Sequence, residues 1–351
     1  MKTLTRMGIT IGALAWIAGC NSGAAKASVE ASGNDAGAKI AQASAKVADT
    51  QDKAPPASQT GGFDGQKAYD YTAKLVSFGP RPSGSDALRQ LQAYVLGEMK
   101  STSCEVEEDN FHAQTPIGVL TMKNIVVKAP GEGKGIILLL THYDTVRVPN
   151  FVGADDGGSS SGLMMELARH VCGEKHRLSV WMAFVDGEEA QGNWVDGASV
   201  NWTGTNETYG SRELAAKLDL DGRLKDVKAV LLVDMVGQKG LHLWREDNST
   251  PWLADLVWDT ADKLGYGDVF VKEKTGAISD DHLPFLAKHV PCVDIIDLTD
   301  YSNAGYWHTA QDTMDKISAK NLAIVGHAVL ASVDALEKKF AAGKIASKAP
   351  H

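Results

Sequence analysis

The sequence has only four cysteines in 351 residues and no excess of positive charge. The second shortage argues against a protein that binds nucleic acid or anionic lipid. Lysine and arginine number 35 against 44 acidic residues, a net charge of −9, so no nucleic-acid or anionic-lipid surface is expected. The acidic balance is otherwise what keeps a globular protein soluble. Beyond the N-terminal segment we find no internal repeat and no second membrane-spanning run. A hydrophobic content of 44% suffices for one large domain or two small ones.

The N-terminal segment has the features of an export signal. Lys2 and Arg6 provide positive charge, and Met7–Ala18 is apolar but too short to span a membrane. The following Ile17-Ala18-Gly19-Cys20 resembles a bacterial lipobox. We therefore expect a signal peptide over the first 19 residues and an exported lipoprotein, anchored through Cys20 at the periplasmic or cell-envelope face. A plain secretory signal is the alternative.

The remaining chain divides by composition. Residues 20–62 consist mostly of Ala, Gly, Ser, Lys, Asp and Gln, which predicts a disordered tether because little apolar surface is available for burial. A catalytic domain is expected over 63–340, followed by a polar tail over 341–351.

Three cysteines remain if Cys20 carries lipid. An odd number in an exported protein leaves at least one free thiol. Cys172 closes a helical pattern and Cys292 lies in an apolar run, which is typical of small core residues, so we assign them no chemistry.

Apolar periodicity predicts helices that alternate with strands. Helical spacing is found in Ala68–Phe78, Ser83–Met99, Ser161–Val171, Trp252–Leu264 and Ala319–Lys338. Strands are predicted at Cys104–Phe111, Lys123–Val127, Ile136–Leu140, Leu178–Val185, Val227–Val233 and Val290–Leu298. This order predicts a single α/β domain with a mixed, largely parallel central sheet flanked by helices.

Residues of the metal-ligand type follow four of the predicted strands. These residues are His142, Asp144, Asp155, Asp156, Glu188, Glu189, Asp234 and His308. In open α/β sheets the ligand crevice lies beyond the carboxyl ends of the strands. Histidine and carboxylates there, with no thiolate among them, describe a catalytic zinc site. A phosphate loop is the competing interpretation of the glycine-rich segment 153–159, but no Gly-Lys-Ser or Gly-Lys-Thr follows it.

Two pairs within this set have separate expected roles. Glu188 and Glu189 are adjacent and point in different directions, so one can bind metal while the other transfers protons. A solvated acidic turn is the plain alternative. Asp144 follows His142 by two residues and can orient its imidazole, or the two can contribute to a second metal site.

Five motifs in order along the chain resemble the zinc aminopeptidase superfamily. They are His142-Tyr143-Asp144, Gly153-Ala154-Asp155-Asp156, Asp186-Gly187-Glu188-Glu189, Asp281-His282-Leu283-Pro284-Phe285 and His308-Thr309-Ala310-Gln311-Asp312-Thr313. Within it the chain most resembles the zinc-dependent glutaminyl cyclases, from about Gly79 to about Leu336. Marks of that branch are the doublet Asp280-Asp281 before His282, and Trp307 directly before His308.

The resemblance implies a role for each matching position. The zinc ligands would be Asp156, Glu189 and His308, the general acid/base Glu188, its acidic partners Asp234 and Asp280, and the substrate-pocket aromatics Trp202 and Trp307. Trp194 is a rival for Trp202, because the segment before it is longer than in the animal enzymes. Asp294 stands where those enzymes have a histidine, and their disulfide near the first metal loop has no counterpart in sequence.

The implied reaction is cyclisation of an N-terminal glutamine, in a peptide or protein, to pyroglutamate with release of ammonia. One Zn²⁺ per chain is expected. The first alternative is a secreted aminopeptidase with two zinc ions, for which His142 and Asp234 would be the added ligands. The second, a catalytically silent binding domain, is disfavoured because every ligand and Glu188 are present. The sequence carries no indication of oligomeric state.

Overall fold

The computed structural model describes residues 52–192 and 203–346, with side chains as far as Phe340. The predicted signal peptide, the lipidation residue Cys20 and both candidate tryptophans, Trp194 and Trp202, lie outside the described residues.

A six-stranded sheet forms the centre of the described fold. Its strands are β1 (Glu105–Thr115), β2 (Gly118–Ala129), β3 (Ile136–His142), β4 (Ser179–Val185), β5 (Val227–Asp234) and β8 (Cys292–Ile296), in the spatial order β1-β2-β4-β3-β5-β8. The β1–β2 and β2–β4 pairs are antiparallel, and the other three pairs are parallel. The predicted mixed, largely parallel sheet is confirmed.

The parallel strands are buried on both faces. Every residue of β3 is buried, and alternate side chains enter different cores. Ile137 and Leu139 belong to one hydrophobic cluster, whereas Leu138 and Leu140 belong to the other. A strand with period-two side chains and two covered faces needs an apolar residue at nearly every position. The continuous apolar runs in the sequence therefore correspond to the central strands.

Helices cover both faces of the sheet. They are α1 (Gly65–Val76), α2 (Asp86–Lys100), α3 (Gly158–Val171), α4 (Tyr209–Leu220), α5 (Pro251–Lys263), α6 (Leu283–Leu286), α7 (Leu298–Asn303) and α8 (Ala319–Ala346). Helices α1, α2, α3, α5 and α8 contribute to one core, and α4 and α6 contribute to the other. The stretch Ala319–Phe340 of α8 is long and apolar enough to cross a membrane, but it is mostly buried and packs against α1, α3 and α5.

The folded part extends beyond the predicted boundaries at both ends. Residues 52–62, assigned to the tether, belong to the fold: the buried Thr60 donates a hydrogen bond to the Phe63 carbonyl at 2.6 Å, and the Lys320 amide donates to the Asp52 carbonyl at 3.1 Å. Main-chain partners such as these leave no mark in composition. At the other end α8 runs to Ala346, so the first residues of the predicted tail are helical, in keeping with the high helix propensity of alanine.

The cysteines are arranged differently from the prediction. Cys104, just before β1, forms a disulfide with Cys172 at the end of α3, with the two Cα atoms 5.4 Å apart. The assignment of Cys172 to a small core residue without chemistry is therefore wrong. Cys292 is the buried free thiol that the odd count requires. The short parallel pair β6 (Leu243–Arg245) and β7 (Phe270–Lys274) was not predicted either.

Candidate metal and catalytic site

The carboxyl ends of the parallel strands bring the predicted site residues together. β3 ends at His142, β5 ends at Asp234, and β4 leads directly to Glu188 and Glu189. Because these strands are neighbours and run in the same direction, their ends lie at one edge of the sheet.

Asp156, Glu189 and His308 have the arrangement of a metal-binding group. One ligand atom from each lies within 4.8 Å of the others. His308 Nε2 is 3.2 Å from Glu189 Oε2 and 3.4 Å from Asp156 Oδ2. Two ligands of a tetrahedral zinc ion with bonds of 2.0–2.1 Å would be about 3.3 Å apart. Both carboxylate oxygens are buried without a hydrogen bond, so the residues present fit a divalent cation.

A second group shares Asp156. His142 Nε2 lies 3.3 Å from Asp156 Oδ1 and 3.0 Å from Asp234 Oδ1, and these three residues also meet the distance requirement for a metal. Asp144 lies on the other side of the ring, with its Oδ1 3.7 Å from His142 Nδ1. The same oxygen accepts a hydrogen bond from the Glu188 amide at 3.2 Å. Asp144 thus borders both His142 and the Glu188 main chain.

The site concentrates buried negative charge. Burial raises the pKa of Glu189 to about 7, and it raises the pKa of Glu188 well above its usual range, with the neighbouring Asp280 adding to the effect. The pKa of Asp280 is raised in the same way by burial and by Asp234. Burial alone would lower the pKa of His308, but the carboxylates of Glu189 and Asp156 raise it to about 10. Such crowding favours a bound cation.

A cavity of about 40 Å³ opens onto these groups. Six of the predicted site residues line it: Asp156, Glu188, Asp234, Asp280, Trp307 and His308. Met235, Ile278, Ile296 and Leu298 supply apolar walls. At roughly 10–15 Å³ of such volume for each water molecule, the cavity has room for a small group.

His308 is held in an unusual conformation. Its backbone is left-handed, with φ at 54°, and so is that of Met235, which follows Asp234 (φ 45°). Left-handed residues other than glycine are uncommon and concentrate at functional sites. The imidazole stacks on the Trp307 indole, with ring centroids 4.2 Å apart, and meets the edge of Phe151 at 5.8 Å.

Arg81 is a site-supporting residue that sequence reasoning missed. Its guanidinium is completely buried and donates hydrogen bonds to the main-chain oxygens of Tyr143 and Gly153, both at 2.9 Å, and of Val152. Burial lowers the pKa of Arg81 to about 10. In the sequence, Gly79-Pro80-Arg81-Pro82 indicates only a helix stop; the two flanking prolines were the available signal.

Asp294 faces a buried histidine. Its Oδ2 lies 3.8 Å from His282 Nδ1, and His282 Nε2 lies 3.7 Å from Glu246 Oε2. Burial lowers the pKa of His282 to about 4. A carboxylate and an imidazole are therefore close neighbours in this buried region.

Comparison with known proteins agrees with this arrangement. Residues 124–333 match the model of peptidase family M28. A glutaminyl cyclase structure from an Acidobacteriales bacterium is 40% identical and superposes with a TM-score of 0.72, covering 79% of this chain and 96% of that chain. The Porphyromonas gingivalis glutaminyl cyclase is 32% identical, with a TM-score of 0.70 and coverage of 78% and 98%.

A relative of lower identity is named for the cyclotransferase reaction. The Drosophila melanogaster glutaminyl-peptide cyclotransferase is 26% identical over 278 residues, which cover 70% of this chain and 75% of that protein. The family model matches most of the chain, and the 40% identity to the Acidobacteriales cyclase extends over nearly the whole length of that cyclase. The chain therefore belongs to peptidase family M28 and, within it, to the glutaminyl cyclases.

Proposed function

We propose that this protein is a glutaminyl-peptide cyclotransferase that converts the N-terminal glutamine of peptides or proteins to pyroglutamate and releases ammonia. The observation that carries the proposal is the position of Glu188, which lines the same cavity as Asp156, His308 and Trp307. An acid/base group, a metal-ligand group and an aromatic wall therefore face one small space.

Asp156, Glu189 and His308 would hold one zinc ion. These residues would thereby supply Lewis-acid chemistry, which would favour negative charge on the side-chain amide oxygen of glutamine. The chain itself contributes two carboxylates and one imidazole, whose ligand atoms lie within 4.8 Å of one another.

Glu188 would transfer the proton. The α-amine nitrogen forms a bond to the side-chain amide carbon, and the bond from that carbon to the amide nitrogen breaks. The proton leaves the attacking amine for Glu188 and passes to the departing nitrogen, which is released as ammonia. Burial and the nearby Asp280 raise the pKa of Glu188, so its carboxylate is a stronger base than that of an exposed glutamate. The hydrogen bond from the Glu188 amide to Asp144 fixes its main chain.

The cavity would select the substrate by size. Trp307 and the apolar residues Ile296 and Leu298 form walls around a volume that accommodates a side chain and not a peptide. The rest of the substrate would remain outside, which suits a reaction confined to chain termini.

The alternative function is an aminopeptidase with two zinc ions. The specific observation in its favour is the second group, His142, Asp156 and Asp234. We favour one zinc per chain because His142 Nε2 and Asp234 Oδ1 are within hydrogen-bond distance of each other, so neither needs a metal as its partner.

A paired assay on one preparation tests the proposal. The purified protein should convert a glutaminyl peptide to its pyroglutamyl form with one ammonia per turnover, and should release little leucine from a leucyl peptide. Glu188→Gln should abolish cyclisation while zinc stays bound, and Glu273→Gln, at an exposed site on β7, should leave the rate unchanged. Release of leucine without cyclisation would establish the aminopeptidase instead.

We also propose that the mature protein is a lipoprotein anchored through Cys20. The support is the apolar segment followed by Ile17-Ala18-Gly19-Cys20. In a bacterial host, the wild-type protein should fractionate with membranes and carry a mass increase on its N-terminal peptide, and Cys20→Ala should remove both. Recovery of unmodified wild-type protein in the soluble fraction would rule out the anchor.

A further inference from the structure

Asp312 connects the loop that carries Asp156 to the loop that carries His308. Its side chain is completely buried. The Asp155 amide donates a hydrogen bond to Asp312 Oδ1 at 2.8 Å, and the Asp156 amide donates to Oδ2 at 3.1 Å. The Ala154 amide donates to the Asp312 main-chain oxygen at 3.4 Å. Three consecutive amides of the loop that carries Asp156 thus donate hydrogen bonds to Asp312, a single residue of the loop that carries His308.

Asp312 is also fixed relative to His308. Its own amide donates to the Thr309 carbonyl at 3.1 Å, which closes a turn over residues 309–312, directly after the histidine. The main chain at Asp312 is therefore held close in sequence and space to the main chain at His308.

The Asp156 loop is also held next to Asp155: the Gly237 amide donates a hydrogen bond to Asp155 Oδ1, and Ser159 Oγ donates to the Asp155 carbonyl, both at 2.7 Å. Gly153 and Gly157 both have left-handed backbones, with φ of 52° and 71°, so no side chain packs at either position. On one side Arg81 binds the carbonyl of Gly153, and on the other side Asp312 binds the amides. Removing the Asp312 carboxylate would leave the amides of Asp155 and Asp156 without their acceptors.

We infer that Asp312 is a positioning residue for the metal site, acting through the amides of Asp155 and Asp156 to set the distance between Asp156 and His308. The inference rests on the proposed function only in requiring a metal at this group. A carboxylate that accepts two amide hydrogen bonds makes strong, charge-assisted contacts. Residues that orient metal ligands typically change metal affinity or activity by about 10- to 100-fold when replaced.

A purely structural role would give a different result, and Asp109 provides the comparison. Asp109 is also a buried carboxylate, bonded to Lys217 Nζ at 2.8 Å and to Asn124 Nδ2 at 3.3 Å, on β1 at the far edge of the sheet. Asp312→Asn and Asp109→Asn each replace one buried carboxylate oxygen with an amide group. Only Asp312→Asn places that NH₂ group against the amides of the ligand loop.

The experiment measures metal binding by metal-free wild-type protein and both variants. Zinc affinity is determined by competition with a chelator, and the visible absorption of bound Co²⁺ reports ligand geometry. Asp312→Asn should bind zinc about 10- to 100-fold more weakly and should shift the Co²⁺ bands. Asp109→Asn should stay within about twofold of wild type with unchanged bands. Wild-type affinity and wild-type bands in Asp312→Asn would overturn the inference.

Hydrogen exchange on the metal-free wild-type protein covers the case in which Asp312→Asn does not fold. The amides of Asp155 and Asp156 should be strongly protected, because both are bonded to a buried carboxylate. Fast exchange of these two amides would contradict the inference. Failure of the wild-type protein to bind zinc would count against the proposed function itself, whereas equal binding by wild type and Asp312→Asn would count against Asp312 alone.

Discussion

The indole of Trp307 stacks on the imidazole of His308, with centroids 4.2 Å apart and the two rings 29° from parallel. The same indole lines the cavity, so one residue contacts a candidate metal ligand and borders the proposed substrate space.

Replacement of Trp307 should weaken substrate binding more than metal binding. A substrate methylene buried against the indole contributes about 0.8 kcal/mol, so Trp307→Leu should raise KM for a glutaminyl peptide by roughly 2- to 4-fold. Trp307→Phe should recover part of the loss. Steady-state kinetics at saturating zinc provide the measurement, and Trp252→Leu, whose ring packs on Phe340, is the control. An unchanged KM in Trp307→Leu would show that the Trp307 side chain does not contribute to substrate binding.

Zinc content should distinguish the two candidate metal groups. We expect one zinc per wild-type chain, its loss in His308→Ala, and its retention in His142→Ala, because the His142 ring has Asp234 as a hydrogen-bond partner. Elemental analysis after dialysis against a low zinc concentration gives the stoichiometry. Two zinc ions in the wild type, with one lost in His142→Ala, would support the aminopeptidase.

The Cys104–Cys172 disulfide should contribute strongly to stability. It closes a loop with a sequence separation of 68 residues, for which the chain-entropy estimate is about 4 kcal/mol. The double variant Cys104→Ser/Cys172→Ser should therefore melt roughly 10 °C lower than the wild type. Reduction of the wild type should have the same effect, whereas the double variant should not respond to reductant. A melting temperature independent of the disulfide would show that the loop is already restricted in the unfolded chain.

Asp186 should make the protein less stable as the pH rises. Burial, with the nearby Asp144 carboxylate, raises its pKa to about 8 from an ordinary value of 3.8. Between these two values the folded state keeps a proton that the unfolded state has lost, so the free energy of unfolding falls with increasing pH across that window. The loss of stability caused by ionisation of Asp186 is absent below about pH 4 and complete above about pH 8.

Comparison with Asp186→Asn isolates that contribution. The amide does not titrate, so the stability of the variant relative to the wild type should increase from pH 5 to pH 8, whatever the loss from its hydrogen bonds to Ser83 and Gln92. Urea unfolding of both proteins at several pH values gives the difference. A difference that is constant with pH would mean that Asp186 is ionised in the folded protein.

The central sheet and the meeting of the site residues could be predicted from the sequence. Strands β3, β4 and β5 are continuous apolar runs because both of their faces are covered, and each ends in polar residues that nothing in a core would require. Parallel neighbours then place those ends together. The fold class follows from this rule, as does the proximity of His142, Glu189 and Asp234, whereas the choice of Asp156, Glu189 and His308 as the ligand set came from the resemblance to the glutaminyl cyclases.

The disulfide, the role of Arg81 and the β6–β7 pair could not be predicted, because the contacts that form them produce no periodic pattern in the sequence. Cys104 and Cys172 are 68 residues apart, and spacing does not show which helix end meets which strand. Arg81 resembles any charged residue in a turn, and its role is visible only from the carbonyls that it binds. The pair β6–β7 was missed because β6 has only three residues, too few for an alternating pattern.

The left-handed backbone at His308 restricts which amino acids can occupy that position. Histidine, asparagine and aspartate tolerate this conformation better than most, whereas β-branched and bulky residues do not. An engineer who wished to exchange the imidazole for a thiolate, to favour a softer metal, would have to remodel the turn as well as the side chain. Metal preference at this position is thus constrained by main-chain geometry, and sequence drift there should lead to aspartate or asparagine before cysteine.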